Sequence, residues 1–243
     1  MPAEPSSQAK ARRQAWPAPA TGAMLWNEAR LGDALPVRWF DPAAYGQRAR
    51  PVQAGGRQAA WFVAGQGWEG VLRAYRRGGL VARVSRDAYF WQGEDRTRSF
   101  REYRLLAALH DKGLRVPAPL AAGYWRQGVA YRAAILVERI PEVRPLAQAL
   151  DAPADEVAGA IARMHRAGVW HADLNAYNVL LDADGRAWLI DFDRGTAGGL
   201  SDRARAGNLL RLRRSLRKVA GERGEACWQG LHKAYERAWS AGG

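Results

Sequence analysis

The sequence predicts an α+β fold in two lobes, a small β-rich amino-terminal lobe and a larger, mainly helical carboxy-terminal one. Three observations predict it. Apolar runs of strand length at residues 59–64, 70–75 and 131–137 flank a helical period at residues 99–112. Beyond residue 150 the 3.6-residue period takes over, at residues 151–164, 208–218 and 225–239. Between those helices lies a stretch with neither period, Val169-Trp170-His171-Ala172-Asp173-Leu174-Asn175-Ala176-Tyr177-Asn178-Val179-Leu180-Leu181, followed by Trp188-Leu189-Ile190-Asp191-Phe192-Asp193. Residues 1–24 read as a disordered amino terminus, 25–137 as the first lobe and 138–243 as the second.

The start, Met1 to Pro19, is rich in Ala, Pro, Ser and Gln and has no long apolar run, so it reads as neither signal peptide nor membrane span. Residues 20–54 show no strong period. A strand begins near Gln58 and runs through Ala59-Ala60-Trp61-Phe62-Val63-Ala64; Gly65-Gln66-Gly67 turns it into Gly70-Val71-Leu72-Arg73-Ala74-Tyr75. Gly55-Gly56, just before the first strand, is placed to cover a phosphate. Two glycines do not make Gly-x-Gly-x-x-Gly, and a plain turn is the better reading.

Ser99 caps a helix that Gly113 ends. Leu105, Leu106 and Leu109 mark its buried face, and Glu102 shares that face. An inward carboxylate needs a positive partner, because burying it alone is costly. The four lysines are Lys10, Lys112, Lys218 and Lys233, none in a strand of the amino-terminal half, so the partner is an arginine. Arg73 and Arg83, in Val71-Leu72-Arg73 and Val81-Ala82-Arg83-Val84, both qualify. Val116-Pro117-Ala118-Pro119 is a stiff connection before the strand Tyr131–Val137. At Glu138-Arg139-Ile140-Pro141 the chain changes lobes, and Pro141 stops further pairing.

In the second lobe Asp151 caps a helix whose first turns hold Asp155 and Glu156, as the helix dipole favours. Val157, Ile161 and Met164 space its buried face, and Gly168 ends it. Thr196-Ala197-Gly198-Gly199 reads as a flexible loop. A helix over Asn208–Lys218 turns Leu209, Leu212 and Leu216 to the core and carries Arg211, Arg213, Arg214, Arg217 and Lys218 around that stripe. A final helix runs from Glu225 to Trp239.

The central stretch carries the chemistry. His171, Asp173, Leu174 and Asn178 repeat the offsets of the kinase catalytic loop His-Arg-Asp-Leu-x-x-x-Asn, and Asp191-Phe192 those of the later Asp-Phe-Gly. Phosphoryl transfer needs an acceptor hydroxyl aimed in line at the γ-phosphorus and cations to absorb spreading charge. Asp173 is placed to take the hydroxyl proton. Asn178 and Asp191 offer the hard oxygens that Mg²⁺ prefers. A hairpin turning at Ala183-Asp184-Gly185-Arg186 would bring Asp191 back towards Asn178. Asp182-Ala183-Asp184-Gly185 is that turn and not a calcium loop, since the other ligand positions are missing. His171 reads as a packed scaffold; His110, His165 and His232 have no metal-ligand spacing. The fold class is therefore a bilobal protein-kinase-like one, with ATP and Mg²⁺ as its cofactors. Arg73 or Arg83 would face the nucleotide's phosphates, paired with Glu102, and backbone groups of Glu138 and Ile140 would face adenine. No Ala-Pro-Glu follows Gly195, which argues against a protein substrate.

Composition sets further bounds. A 48% hydrophobic fraction suffices for a core, and the single cysteine, Cys227, excludes an internal disulfide. Net charge is +13, distributed as +7 over residues 1–90, zero over 91–200 and +6 over 201–243. Basic ends call for an anionic partner, whether nucleic acid, anionic lipid or an acidic substrate, or are solvated faces of an arginine-rich chain. The 11 tryptophans are core residues first and lipid-interface residues second.

Tyr75-Arg76-Arg77-Gly78-Gly79-Leu80, Trp170 to Leu180, Ile190-Asp191-Phe192-Asp193-Arg194-Gly195 and Asn208 to Leu216 together resemble the bacterial 3-deoxy-D-manno-octulosonic acid (Kdo) kinase family, lipopolysaccharide-core kinases of the kinase-like superfamily. The resemblance covers residues 25–240. It implies an ATP-dependent enzyme phosphorylating the 4-hydroxyl of Kdo on a Kdo-lipid A precursor, peripheral to the cytoplasmic face of the inner membrane. It carries over Asp173 as base and Asn178 with Asp191 as metal ligands. It implies an anionic membrane surface as partner, no nucleic acid and no obligate protein partner. The chain departs from the general kinase pattern in lacking the strand lysine and in placing Asp193 where glycine follows Phe192. A heptose kinase of lipopolysaccharide is the near alternative; an antibiotic kinase and a non-catalytic binding module are the distant ones.

Overall fold

A computed structural model describes residues 11–32, 37–52, 60–75 and 88–242. Gly55-Gly56, Gln58, Arg83 and the run Arg76–Leu80 lie outside the described residues. In chain order the elements are β1 (Ala11–Ala15), β2 (Thr21–Asn27), α1 (Glu28–Leu31), β3 (Ala49–Pro51), β4 (Ala60–Ala64), β5 (Glu69–Ala74) and β6 (Tyr89–Phe90). Then come α2 (Arg98–Asp111), β7 (Pro119–Gln127), β8 (Ala130–Glu138), β9 (Arg144–Pro145), α3 (Ala154–Arg166) and β10 (Val169–Trp170). The chain finishes with β11 (Val179–Leu181), β12 (Ala187–Leu189), β13 (Thr196–Ala197) and α4 (Asp202–Ser240). It divides into two compact units, Met1–Asp111 with Ala118–Arg139 and Lys112–Pro117 with Ile140–Gly243.

Among the described residues of the first unit, eight strands form one antiparallel sheet in the order β1-β2-β7-β8-β5-β4-β3, with β6 on β8. Strands β7 and β8 are central, and α2 lies against both. Leu120, Ala121, Ala122, Ile135 and Leu136 are sealed from solvent. Burial on both faces removes the apolar–polar alternation from their sequences. A core of Trp16, Met24, Trp26, Tyr45, Leu72 and Leu136 fills this unit. Trp16 stacks on Trp125 with ring centroids 5.2 Å apart, and its indole N–H donates to the Tyr124 carbonyl at 2.6 Å. The strand pairing leaves no room at Gly22, where a Cβ would lie 2.1 Å from the Tyr124 oxygen.

Several expectations fail here for identifiable reasons. Residues 11–24 are not disordered: β1 and the start of β2 extend the sheet, and Trp16 anchors them. Within the stretch 20–54, read as having no strong period, β2 pairs with β7 from Thr21 to Trp26. Helix α2 begins at Arg98, and Ser99 is not its cap: the Ser99 hydroxyl is buried and donates to the Gly123 carbonyl at 3.0 Å.

In the second unit β9, β11 and β12 form a small antiparallel sheet, and β10 pairs with β13. Residues 196 and 197 are thus a strand rather than a free loop. Helix α3 begins at Ala154 after Pro153, so Asp151 does not cap it. Ser201 caps α4, accepting from the Ala204 amide at 3.2 Å. The two helices expected over 208–218 and 225–239 are both present as the two segments of α4, separated by a non-helical kink at Ala220 and Gly221. Gly221 has φ +53° and ψ −123°, a conformation open to glycine and costly elsewhere. A Cβ at Gly224 would lie 2.0 Å from the Leu216 carbonyl oxygen, so the two segments touch just past the bend.

Candidate active site

The hairpin β11–β12 orders the acidic end of the site. Asp182 makes the turn: its Oδ1 accepts from the amides of Asp184 and Arg186 at 3.0 and 2.9 Å, and its Oδ2 from the Trp188 indole at 2.9 Å. Val179 pairs with Leu189. One residue further, the Ile190 amide donates to the Asn178 carbonyl at 3.0 Å. Asp191 follows directly, with φ +63°, a left-handed conformation rare for a non-glycine residue. Such conformations cost about 1 kcal/mol and recur at functional sites. The sequence-predicted return of Asp191 to Asn178 is what the hairpin does.

His171 ties the catalytic-loop stretch to this hairpin. Its Nε2 lies 2.9 Å from the Ile190 carbonyl, and its Nδ1 accepts from the Asp173 amide at 3.1 Å. One nitrogen must donate and the other accept, which fixes the neutral Nε2–H tautomer. Burial pushes the His171 imidazolium below its usual range, in keeping with that neutral state. The ring packs on Phe192 at 4.7 Å. Asn178 donates through Nδ2 to the Asp173 carbonyl at 2.8 Å, and Asn175 Oδ1 accepts from the amides of Tyr177 and Asn178. The loop backbone is thus pinned while the Asp173 carboxylate stays more than half exposed.

Helix α4 supplies a second layer of support that the sequence did not reveal. Asn208, 1% exposed, accepts from the His171 amide at 3.1 Å and donates to the His171 carbonyl at 2.7 Å. Its Oδ1 also receives His165 Nε2 at 3.3 Å, while Tyr235 hydroxyl and His165 Nδ1 sit 2.8 Å apart. Ser215 Oγ accepts from the Ala176 amide at 3.1 Å. Arg211 approaches the Asp173 carboxylate at 3.5 Å. The only available hint was that Asn208 is a polar residue heading an otherwise apolar helical stripe.

The first unit carries a separate charged cluster. Arg73 on β5 reaches both carboxylate oxygens of Glu102 on α2, at 2.6 and 2.7 Å. Glu102 is 3% exposed, so the inward glutamate does have a cationic partner. Tyr75, to which the sequence pattern gives no role, donates its hydroxyl to Glu102 Oε2 at 2.5 Å. Burial first, and then the neighbouring carboxylate, raise the Tyr75 phenol well above its ordinary value, so it stays a donor. The Glu138 amide is committed to the Ala118 carbonyl at 2.8 Å, and its side chain to Arg30 at 2.5 Å. Ile140 is half-buried.

The donor set near the hairpin suits a hard cation. It offers an amide oxygen from Asn178 and a carboxylate from Asp191, and the Asn178 Nδ2 contact leaves Oδ1 as its ligand atom. Among the described residues no three His, Cys, Asp or Glu side chains cluster as a cage. Mg²⁺ takes one or two protein ligands and completes its shell with water and phosphate, so the residues fit it.

Residues 43–235 match the family model described as lipopolysaccharide kinase (Kdo/WaaP) family. The chain is 50% identical over 230 residues to a protein of Xanthomonas campestris pv. campestris (strain B100) named 3-deoxy-D-manno-octulosonic acid kinase, covering 91% of this chain and 92% of that one. Proteins of the same name from Xanthomonas euvesicatoria and Stenotrophomonas maltophilia (strain K279a) are 51% and 50% identical over the same shares. With a kinase-type loop, hairpin and strand–helix ion pair in place, this extent of match means that the chain belongs to the lipopolysaccharide kinase (Kdo/WaaP) family.

Proposed function

We propose that this chain transfers the γ-phosphoryl group of ATP to the 4-hydroxyl of Kdo on a Kdo-lipid A precursor. The pinned loop carries the reading: His171, Asn178 and Asn208 fix the backbone around Asp173 while leaving its carboxylate open to an acceptor. The shared name of relatives at about half identity supports Kdo as the sugar.

Asp173 accepts the proton of the attacking hydroxyl, a contribution of roughly 10²–10⁴ in rate for a positioned base. Arg211 beside it pairs with the carboxylate and helps to aim it. Arg73, held by Glu102 and Tyr75, contacts the nucleotide phosphates in the place of the strand lysine. With the Glu138 amide committed elsewhere, the Glu138 carbonyl and the Ile140 backbone contact adenine. Asn178 and Asp191 hold Mg²⁺, which neutralises charge on the transferring phosphate when bound.

Among the described residues no helix is long and apolar enough to cross a membrane. A peripheral position on the cytoplasmic face of the inner membrane suits an acceptor anchored in lipid, and the basic carboxy-terminal segment suits an anionic surface.

The test is incubation of purified protein with ATP, Mg²⁺ and Kdo-bearing lipid A precursor. One added phosphate on the acceptor, located at the 4-hydroxyl by fragmentation, is expected. A heptose-bearing acceptor run in parallel distinguishes the two sugars: phosphate appearing there and not on Kdo overturns the reading.

A further inference from the structure

The bend in α4 opens a second charged feature that phosphoryl transfer does not use. A cavity of about 680 Å³ lies there, lined by Arg213, Arg214, Arg217, Lys218, Glu222 and Glu225. The bend builds it. Gly221 lets the chain fold back, and the close approach of Gly224 to Leu216 brings Glu225 under the preceding segment. Glu225 then receives Arg213 at 2.6 Å and Arg217 at 3.6 Å, which orders two cations on the cavity wall. Arg214 and Lys218 are exposed, and the ion pairs found on this wall among the described residues are those of Arg213 and Arg217. Four cations against two carboxylates leave the lining at net +2.

This cavity shares a rigid element with the catalytic loop. Arg211 lies at the Asp173 carboxylate, and Asn208 and Ser215 fasten the same helix to the loop at His171 and Ala176. At 1.5 Å per residue, Arg214 and Lys218 stand about 4–11 Å along the axis from Arg211. An acceptor whose sugar hydroxyl sits at Asp173 therefore has its neighbouring groups within reach of the cavity. Arginine guanidinium groups and a lysine around one space match a phosphate monoester, which takes several charge-assisted bonds at once.

Resting on the reading that the acceptor is an acidic sugar on a phosphorylated lipid, we infer that the α4-bend cavity binds a phosphate monoester on the acceptor's lipid anchor. It selects anchored, phosphorylated acceptors by a contact remote from the reacting hydroxyl. Binding energy taken from such a remote group helps place the hydroxyl.

The experiment compares Kdo-bearing lipid A precursor with the same compound dephosphorylated on its anchor, both in neutral detergent micelles so that bulk surface charge is absent. The wild-type protein is expected to favour the phosphorylated acceptor in kcat/KM by roughly tenfold per charge-assisted contact. Arg214→Ala with Lys218→Ala should bring that ratio close to one. Arg203→Ala with Lys233→Ala, which removes two exposed cations elsewhere on α4, should keep the wild-type ratio. Equal loss in both double variants, or a ratio unmoved by the first, overturns the inference. Co-sedimentation with neutral micelles carrying phosphorylated or dephosphorylated lipid A precursor needs no turnover. If the wild-type protein binds both equally, the cavity assignment fails; if it prefers the phosphorylated form but transfers no phosphate, the proposed reaction fails and the cavity stands.

Discussion

Replacing Asn208 with alanine tests whether a buried amide in α4 holds the catalytic loop. The side chain is 1% exposed and makes three contacts: the His171 amide at 3.1 Å, the His171 carbonyl at 2.7 Å and His165 Nε2 at 3.3 Å. Alanine strands three buried polar groups. Each costs about 1–3 kcal/mol when left without a partner. Water entering the small cavity would repay part of that, giving a net loss of about 3 kcal/mol. The kinetic effect is the sharper one. His171 is the residue through which the Asp173 amide is placed, and a shift of about 1 Å at a reacting group costs on the order of 10²-fold in rate. The expected result is kcat down about 100-fold with the KM for ATP within about twofold of wild type, read by coupled ADP release. Urea denaturation should give a lower midpoint with unchanged slope. Asn208→Asp keeps both accepted bonds and loses the donated one, so it should fall between. Wild-type kcat in Asn208→Ala would refute the positioning role, and a fall in stability without a fall in kcat would reduce Asn208 to packing.

Three further outcomes follow from the same contacts. Arg73→Ala takes the cation away from the buried Glu102 carboxylate, leaving its charge uncompensated beside the Tyr75 hydroxyl, and should cost about 3–5 kcal/mol in urea denaturation, whereas Arg73→Lys, able to present one nitrogen to both carboxylate oxygens, should recover most of it. If both variants lose equally, the single-nitrogen contact is not what stabilises the pair. Burial lowers the His165 imidazolium to about 4, below its unfolded value of about 6.5, so its contribution is complete above pH 6.5 and is lost as pH falls towards 4. That amounts to about 3 kcal/mol at most, and His165→Gln should flatten the fall in urea midpoint between pH 6.5 and 4.5; an unchanged profile refutes it. Gly224→Val drives a Cβ to 2.0 Å from the Leu216 oxygen and should destabilise the α4 bend, seen as lost helical circular dichroism on mild heating; a wild-type melt would show the segments free to part.

Much of the site could be read from the sequence because its parts are local. The kinase offsets from His171 to Asn178 and the Asp182–Arg186 turn each lie on a few consecutive residues with fixed geometry, and the Arg73–Glu102 pair, though 29 residues apart, follows from an inward glutamate needing a cation. What escaped was long-range or lacked a period. Strand β7, Pro-Leu-Ala-Ala-Gly-Tyr-Trp-Arg-Gln, is buried through six residues and gives no alternation. Strand β2 is masked in the same way, buried from Ala23 to Asn27. The terminus before it looked unstructured because only Trp16 and its partner Trp125, 109 residues away, show why it folds. Ser99 and Asp151 had the right chemistry for caps, but the first is drawn to Gly123 and the second precedes Pro153. Asn208 and Tyr75 each act on groups at least 27 residues away, a distance no spacing rule reports.

The most direct measurement is phosphate transfer to a Kdo-bearing acceptor by Asp173→Asn. The exposed side chain contributes little to folding, so the urea midpoint should match wild type while turnover falls by about 10²–10⁴. Turnover near the wild-type level, in a protein that is folded and binds ATP, would contradict the assignment of Asp173 as the base and with it the account of the site.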